Sequence, residues 1–262
     1  MSLAELSEQP GKVATIESHC DYIADPLNTF VHLCGSGQNN LLLESAEIDS
    51  KHDLKSLIMV DAAVKLVCNG HKVNAQALTQ NGVPVISFLR NAIEQCKTSN
   101  DIAIVDVEED SASQQLPAIE FTFQPANALL DEDSRLKSAS VFDVLRILQT
   151  QLQPLSPHPM AIFVGGTFAY DLLATAEQLP EVSEGDNDCP DYVFYLAETL
   201  ITIDHQLQSS QILGSVFSGD QVASSYFQVS QRIEFLKKTI TDRKSTRLNS
   251  SHPVQSRMPS SA

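Results

Sequence analysis

The sequence has no tryptophan, few aromatic residues and no CxxC pair among its five cysteines. These cysteines are odd in number and far apart, so the common zinc and redox motifs are absent. They are Cys20, Cys34, Cys68, Cys96 and Cys189. This pattern indicates a reduced compartment, in which the thiols are unpaired and mostly packed.

Long apolar runs and positive charge are also scarce. No run approaches the roughly 20 apolar residues of a membrane-spanning helix, and the acidic start, Met1 to Glu8, lacks the apolar centre of a secretory signal. The net charge is −16, and all 33 acidic residues precede residue 243. Such a chain repels phosphate backbones and anionic lipid surfaces. We therefore predict a cytoplasmic protein that binds neither nucleic acid nor membrane.

The familiar catalytic and metal-binding motifs are missing as well. The seven histidines are scattered without an HExxH pair, and Gly165-Gly166 belongs to no phosphate-binding pattern. The acidic residues Glu47, Asp49 and Asp53 fit no calcium loop, and a solvated turn is the better interpretation. The residues alone predict no catalytic residue and no metal ligand.

What is present is the periodicity of an α+β domain, with mainly antiparallel sheet and helices packed outside. Residues 57–78 predict a β-hairpin that turns at Asn69-Gly70. Four helices are predicted, starting after Asp25, after Gly82, at Ser140 and at Val222. Further strands are predicted at residues 41–43, 101–107, 119–123, 192–204 and 211–217, with a central strand at 161–168.

Composition divides the chain into three parts. We predict a flexible N-terminus at residues 1–20, a folded domain at 21–241 and a disordered tail at 242–262. The tail after Asp242 has six serines and no acidic residue, and residues 242–252 resemble one reading frame of a sequencing-library adapter. We interpret it as non-native, with an ordinary basic tail as the alternative.

One stretch combines the side chains that could bind a free amino acid as a ligand. The apolar run Leu41-Leu-Leu43 is typical of the end of a buried strand, and Glu44 and Ser45 follow it at once. A carboxylate accepts hydrogen bonds from an ammonium, a hydroxyl donates and accepts, and Lys55 carries the charge that a carboxylate ligand needs. For each residue a purely structural role is the alternative.

Several motifs closely resemble anthranilate synthase component I of bacterial tryptophan biosynthesis. They occur in the family's order between about Asp21 and Thr241, and the long Leu41-Leu-Leu-Glu-Ser45 stretch is one of them. The others are Leu129-Leu-Asp-Glu-Asp-Ser-Arg-Leu136, Ser140-Val-Phe-Asp143, Gly165-Gly-Thr-Phe-Ala-Tyr-Asp-Leu172 and Cys189-Pro-Asp-Tyr-Val-Phe-Tyr-Leu-Ala-Glu-Thr-Leu200.

This resemblance implies an enzyme that makes anthranilate from chorismate, with magnesium and with ammonia from a glutamine amidotransferase, component II. The chorismate and magnesium sites lie in the C-terminal half of the family, which this chain lacks. The resemblance therefore implies no catalytic residue and no cofactor here, and we expect the chain to be inactive alone.

The N-terminal half of the family carries part of the site for the feedback inhibitor L-tryptophan. The matching residues are Leu43, Glu44, Ser45 and Lys55. Two alternatives stay open: a free-standing amino-acid-binding or interaction module, and the equivalent half of aminodeoxychorismate synthase.

Overall fold

The computed structural model describes residues 3–45, 54–96, 102–107, 116–124, 139–170, 172 and 189–250. The helices are α1 (Leu3–Glu8), α2 (Pro26–Cys34), α3 (Val83–Cys96), α4 (Asp143–Gln151) and α5 (Val222–Ser250). The strands are β1 (Lys12–Cys20), β2 (Leu41–Glu44), β3 (Lys55–Asn69), β4 (Lys72–Ala77), β5 (Ile102–Val107), β6 (Ala118–Phe123), β7 (Gln153–Pro154), β8 (Val164–Phe168), β9 (Tyr192–Asp204) and β10 (Ser209–Phe217).

The described strands form one sheet around the long antiparallel pair of β3 and β9. Along the sheet the order is β5, β6, β4, β3, β9, β10, β1, β7, while β2 pairs with β3 and β8 pairs with β9. Within the described residues, the one parallel pairing is the short contact of β1 with β7. The prediction of an α+β chain with mainly antiparallel sheet is confirmed.

The β3–β9 pair is interrupted by register shifts between Met59 and Val64. Such bulges bend a sheet and increase its twist. They divide the ladder into two parts. The hairpin half contains residues 64–69 of β3 and 192–196 of β9, flanked by β4, β6, β5 and β8. The site half contains residues 55–59 of β3 and 199–204 of β9, flanked by β2, β10, β1 and β7.

Each half has its own core. In the hairpin half α3 and α4 cover buried side chains that include Leu66, Leu89, Phe121, Leu148 and Leu196. In the site half α5 packs against β10 and β1, over a core that includes Ile58, Ile201, Ile212, Ile233 and Leu236. The opposite face of the sheet carries a smaller cluster, namely Met59, Ala62, Tyr195, Ala197, Leu200 and Leu213.

Local sequence explains two helix starts and one hairpin turn that were predicted. The Asp25 side chain accepts a hydrogen bond from Asn28 N–H and caps α2, and Pro26 occupies its first turn. Gly70 turns the β3–β4 hairpin with a φ of 57°, a left-handed conformation that favours glycine. The Asp143 carboxylate accepts from Ser140 N–H, as a capping box requires, although α4 itself begins at Asp143.

The predicted flexible N-terminus is wrong for residues 3–20. Strand β1 pairs with β10 from Val13 to Cys20, and Leu6 of α1 is buried against the site-half core. Val13 is fully buried, so this segment contributes to the core despite its polar neighbours. A short alternation of apolar and polar residues, such as that of residues 12–20, predicts a strand only weakly. This segment becomes a strand because it pairs with β10, almost 200 residues away in the chain.

Two other expectations need correction. Helix α5 continues to Ser250, past the predicted domain boundary at residue 242, whereas residues 251–262 lie outside the described part. A helix once formed is extended cheaply by residues such as Arg, Lys and Leu. Strand β8 is not central: among the described strands it pairs only with β9.

Candidate functional site

The predicted site residues lie where β2 ends and β3 begins. Leu43 pairs with Leu57, Glu44 pairs with Ser56, and Ser45 N–H donates to Lys55 O at 2.9 Å. The antiparallel pairing thus joins two segments whose connecting residues, 46–53, lie outside the described part. Ser45 and Lys55 are therefore direct neighbours.

The pairing also separates the predicted residues by face. Residues directly opposite in an antiparallel pair share a face, and successive residues alternate. Leu57 packs with the cluster around Met59, so Leu43 and Lys55 share that face. Ser56 is buried on the helix-covered face, and Glu44 lies opposite it. The structure therefore brings Leu43, Ser45 and Lys55 together but directs Glu44 to the other face.

The face of Lys55 carries a line of polar residues that we call the polar row. Asp204 of β9 lies opposite Lys55, and Ser209 of β10 lies opposite Asp204. With Ser45 beyond the end of β2, the polar row comprises Ser45, Lys55, Asp204 and Ser209. Four neighbouring segments each contribute one residue, at the rim of the sheet.

Inward of the polar row, the same face becomes apolar within two steps along the strands. Leu43 and Leu57 lie one step in, beside Thr202 and Gln211. The next step is wholly apolar, with Leu41, Met59, Leu200 and Leu213. The polar row followed by an apolar surface suits a small ligand with a charged head and an apolar body.

The expectation that the leucine run is buried is wrong for Leu43, whose exposed fraction is 46%. Leu41 and Leu42 are half-buried. Among the described strands β2 pairs only with β3, and Leu43 near its end is exposed. An exposed leucine beside Lys55 is consistent with a ligand contact.

Behind the polar row, His205 holds the strand ends together. Its Nε2 forms a hydrogen bond of 2.8 Å with Ser56 Oγ, and its Nδ1 forms one of 2.9 Å with Tyr22 OH. Its backbone N–H donates to Leu54 O at 3.0 Å. A histidine beside a turn is ordinarily solvated, but His205 is half-buried and hydrogen-bonded to two other segments of the chain. No local sequence signal could reveal partners so distant in the chain.

A second polar cluster lies at the bend of the sheet. The Glu198 carboxylate accepts from Thr79 Oγ1 at 2.6 Å and from Asn81 Nδ2 at 2.9 Å. Asn81 also donates to Ser215 O and accepts from Phe217 N–H, which joins the two halves. Burial raises the pKa of Glu198 and the two hydrogen bonds lower it, with burial the larger effect.

Beside it, Asp61 at the bulge forms a bidentate ion pair with Arg232 of α5, at 2.8 and 2.9 Å. The hydrogen bonds to Asp61 raise the pKa of Arg232, while burial opposes them. All these charged groups have partners that belong to the fold, so we assign the cluster a structural role.

The described part offers no second candidate of comparable chemistry. A cavity of about 330 Å³ lies between the first turns of α3 and α5 and the α1–β1 connection, away from the polar row. No group of three or more metal-ligating side chains occurs among the described residues. No helix there is both long enough and apolar enough to span a membrane.

Three of the described cysteines are buried or half-buried, whereas Cys189 is exposed. Cys20, Cys34, Cys68 and Cys189 form no disulfide bond with one another, which agrees with the prediction that these thiols are reduced. Burial raises the pKa of Cys20 and Cys34 to about 11, so both thiols stay protonated at neutral pH. They are therefore unsuited to nucleophilic chemistry.

Comparison with known proteins identifies the relatives of this chain. No family profile matches it. Anthranilate synthase component 1 of Vibrio parahaemolyticus is 40% identical over 238 residues, and that of Vibrio cholerae is 43% identical over 210. The Escherichia coli protein of the same name is 41% identical over 221 residues.

These matches cover 80–89% of this chain but only 38–40% of the relatives. The chain thus spans about two fifths of the length of the curated proteins that it matches. The resemblance seen in the motifs is confirmed over most of the chain.

Proposed function

We propose that this chain, which is related to anthranilate synthase component 1 over most of its own length, is the tryptophan-binding regulatory part of such a protein. The intact enzyme would make anthranilate from chorismate, with ammonia from a glutamine amidotransferase, component II. L-Tryptophan, the end product of the pathway, would bind here as the feedback inhibitor. Leu43, Glu44, Ser45 and Lys55 would contribute to its site.

One observation carries this proposal, the arrangement of the polar row beside an apolar surface. Lys55 can neutralise the ligand carboxylate, and Ser45 can donate a hydrogen bond to it. Leu43 and Leu57 would then contact the indole ring, whose large apolar surface provides most of the favourable transfer free energy. Glu44 belongs to the same segment, and because its side chain lies on the other face it would contribute through its backbone.

Inhibition would follow from a difference in affinity between two states. Tryptophan binds more tightly to a state of the intact enzyme in which chorismate binds less productively. By linkage, chorismate then weakens tryptophan binding by the same factor. The site half would sense the ligand, and the part of the relatives that this chain does not span would carry the chemistry.

The synthase reaction itself is assigned to that other part. We expect no anthranilate from this chain with chorismate, ammonia and magnesium, as monitored by anthranilate fluorescence. Anthranilate production above the background of a mock purification would contradict this. The magnesium that supports the reaction is likewise assigned to the catalytic part.

The experiment that tests the proposal is calorimetric titration of L-tryptophan into two proteins. One is this chain, and the other is this chain joined to the C-terminal part that the relatives have and this chain does not span. Binding to both would make the N-terminal part a self-sufficient sensor, and binding only to the longer protein would mean a shared site. Binding to neither would refute the proposal.

Ser45→Ala provides the matched variant for this titration. Ser45 is an exposed residue, so the fold should be unchanged, and loss of one hydrogen bond to a charged ligand should weaken binding about tenfold. Ser36→Ala, another exposed serine outside the helices and strands, is the control. Equal tryptophan affinity in both variants would remove Ser45 from the site.

A further inference from the structure

We propose that Asp204 binds the ammonium group of the amino-acid ligand. This inference rests on the proposed function, because it concerns the same site and adds a residue from β9. It also changes the role expected of Glu44, whose carboxylate is the acceptor that the sequence alone suggests.

The register of three strands places Asp204 at the site. Lys55 pairs with Asp204 between β3 and β9, and Asp204 pairs with Ser209 between β9 and β10. Side chains directly opposite in an antiparallel sheet share a face, with Cβ atoms about 4.5–5.5 Å apart. Asp204 therefore lies beside Lys55, on the face that also carries Leu43 and Leu57.

The Glu44 side chain does not lie on the face that carries Lys55. It lies opposite Ser56, which is 4% exposed and directed to the helix-covered face. A carboxylate on that face is separated from Lys55 by the sheet itself. Within the polar row of the described structure, Asp204 is the one acidic residue.

The chemistry of the row matches a zwitterion. In an α-amino acid the ammonium and the carboxylate are both bonded to the α-carbon. Its binding site therefore needs a negative and a positive charge side by side. Lys55 and Asp204 provide this pair across one strand-to-strand spacing. Asp204 Oδ1 accepts from Leu207 N–H at 2.8 Å, and a carboxylate retains further acceptor capacity at its second oxygen.

The carboxylate is also held in place before any ligand arrives. The Leu207 N–H fixes Asp204 in a turn, and His205 anchors the next residue through Leu54, Ser56 and Tyr22. A charge that is already oriented loses little conformational freedom on binding, which favours affinity. The Asp204 carboxylate, at the anchored end of β9, is thus preorganised for binding.

The test compares ligands with and without the ammonium group. L-Tryptophan and indole-3-propionate, which lacks the amine, are titrated into the full chain and into Asp204→Asn. Wild type should bind tryptophan at least about tenfold more tightly than indole-3-propionate. Asp204→Asn keeps an oxygen for Leu207 N–H but loses the charge, and it should lose this preference while retaining its affinity for indole-3-propionate.

Asp191→Asn is the control, because Asp191 precedes the other end of β9 and its carboxylate likewise accepts from a backbone N–H, that of Gly70 in the β3–β4 turn. It should keep the wild-type preference for tryptophan. If Asp204→Asn keeps the preference, or weakens both ligands equally, the assignment is overturned.

Loss of the preference in Glu44→Gln instead would return the role to Glu44 and likewise overturn it. Absence of tryptophan binding by wild type, in the chain and in its extended form, would refute the proposed function itself. Binding with unchanged discrimination in Asp204→Asn refutes only the present inference.

Discussion

The hairpin half and the site half share β3 and β9 but recruit their other strands in different ways. In the hairpin half β4, β6 and β5 follow β3 closely in the chain, and the first turn is Asn69-Gly70. In the site half β1 comes from the start of the chain and pairs with β10, almost 200 residues later. One half is therefore specified largely by local sequence, and the other by long-range pairing.

This difference bears on function. A row of side chains drawn from distant segments exists only when all of those segments are correctly paired. The hairpin half contributes no residue to the polar row, whereas the site half places Ser45, Lys55 and Asp204 side by side. The comparison suggests that substitutions in the hairpin half should change stability, and that those at the rim of the site half should change binding.

The largest effect is expected from Phe121→Ala, in the core of the hairpin half. Phe121 is fully buried, and such truncations cost about 3–5 kcal/mol in the free energy of unfolding. Urea denaturation followed by circular dichroism measures this loss. Ile201→Ala, fully buried in the site half, should cost a comparable 2–5 kcal/mol. A cost below about 1 kcal/mol for Phe121→Ala would show that the hairpin half is not an integral part of the fold.

A smaller loss is expected from His205→Leu, in the anchor behind the polar row. The substitution leaves the buried Ser56 hydroxyl without its partner, which costs about 1–3 kcal/mol. Adding Ser56→Ala should recover part of that loss, because the unsatisfied hydroxyl is then gone. Additive losses in this double-mutant cycle would mean that the hydrogen bond does not couple the two residues.

A pH-dependent effect is expected from Glu198→Gln at the junction of the halves. Burial raises the folded-state pKa of Glu198 above its ordinary 4.5, so the folded protein keeps this proton to a higher pH than the unfolded chain does. Ionisation of Glu198 therefore lowers stability as pH rises from about 4.5 through the folded-state pKa.

Glutamine cannot ionise, and its oxygen can still accept from Thr79 and Asn81. Unfolding free energies measured at pH of about 5 and about 8 should show that Glu198→Gln gains stability relative to wild type at the higher pH. A relative loss at the higher pH would show that the charged form is the one that the junction stabilises.

The smallest effect is expected at the surface of the hairpin half. Lys72 and Glu120 form a cross-strand ion pair of 2.9 Å, with Lys72 58% exposed. Exposed pairs contribute about 0–1 kcal/mol, so Lys72→Ala should shift the unfolding free energy by less than that. A shift that persists unchanged in high salt would exclude the ion pair as its source.

Features with a local cause were predictable from the sequence. Asp25-Pro26 marks the start of α2, Asn69-Gly70 turns the first hairpin, and the spacing of Val222 to Ile240 predicts α5. Each depends on backbone conformation or on periodicity within a few residues. The α+β class follows from the order of such elements.

Features with a distant cause were not predictable. Strand β1 has weak alternation, and pairing with β10 makes it part of the sheet. At the site, Ser45 and Lys55 were predictable as neighbours because they are close in sequence. Asp204 and His205 were not predictable, because the register of β3 with β9 brings them there. The bulges between Met59 and Val64 determine that register, and no local pattern indicates them.

The polar row has a consequence for motion. Its members come from four segments at the rim of the sheet, and amide hydrogens at the ends of strands exchange more quickly than those at their centres. A ligand that contacts the row would bridge these ends as a removable crosslink and suppress their opening. Hydrogen exchange would then slow at the β3, β9 and β10 ends while the hairpin half stays unchanged, so the occupied site could be mapped without a signal from the ligand.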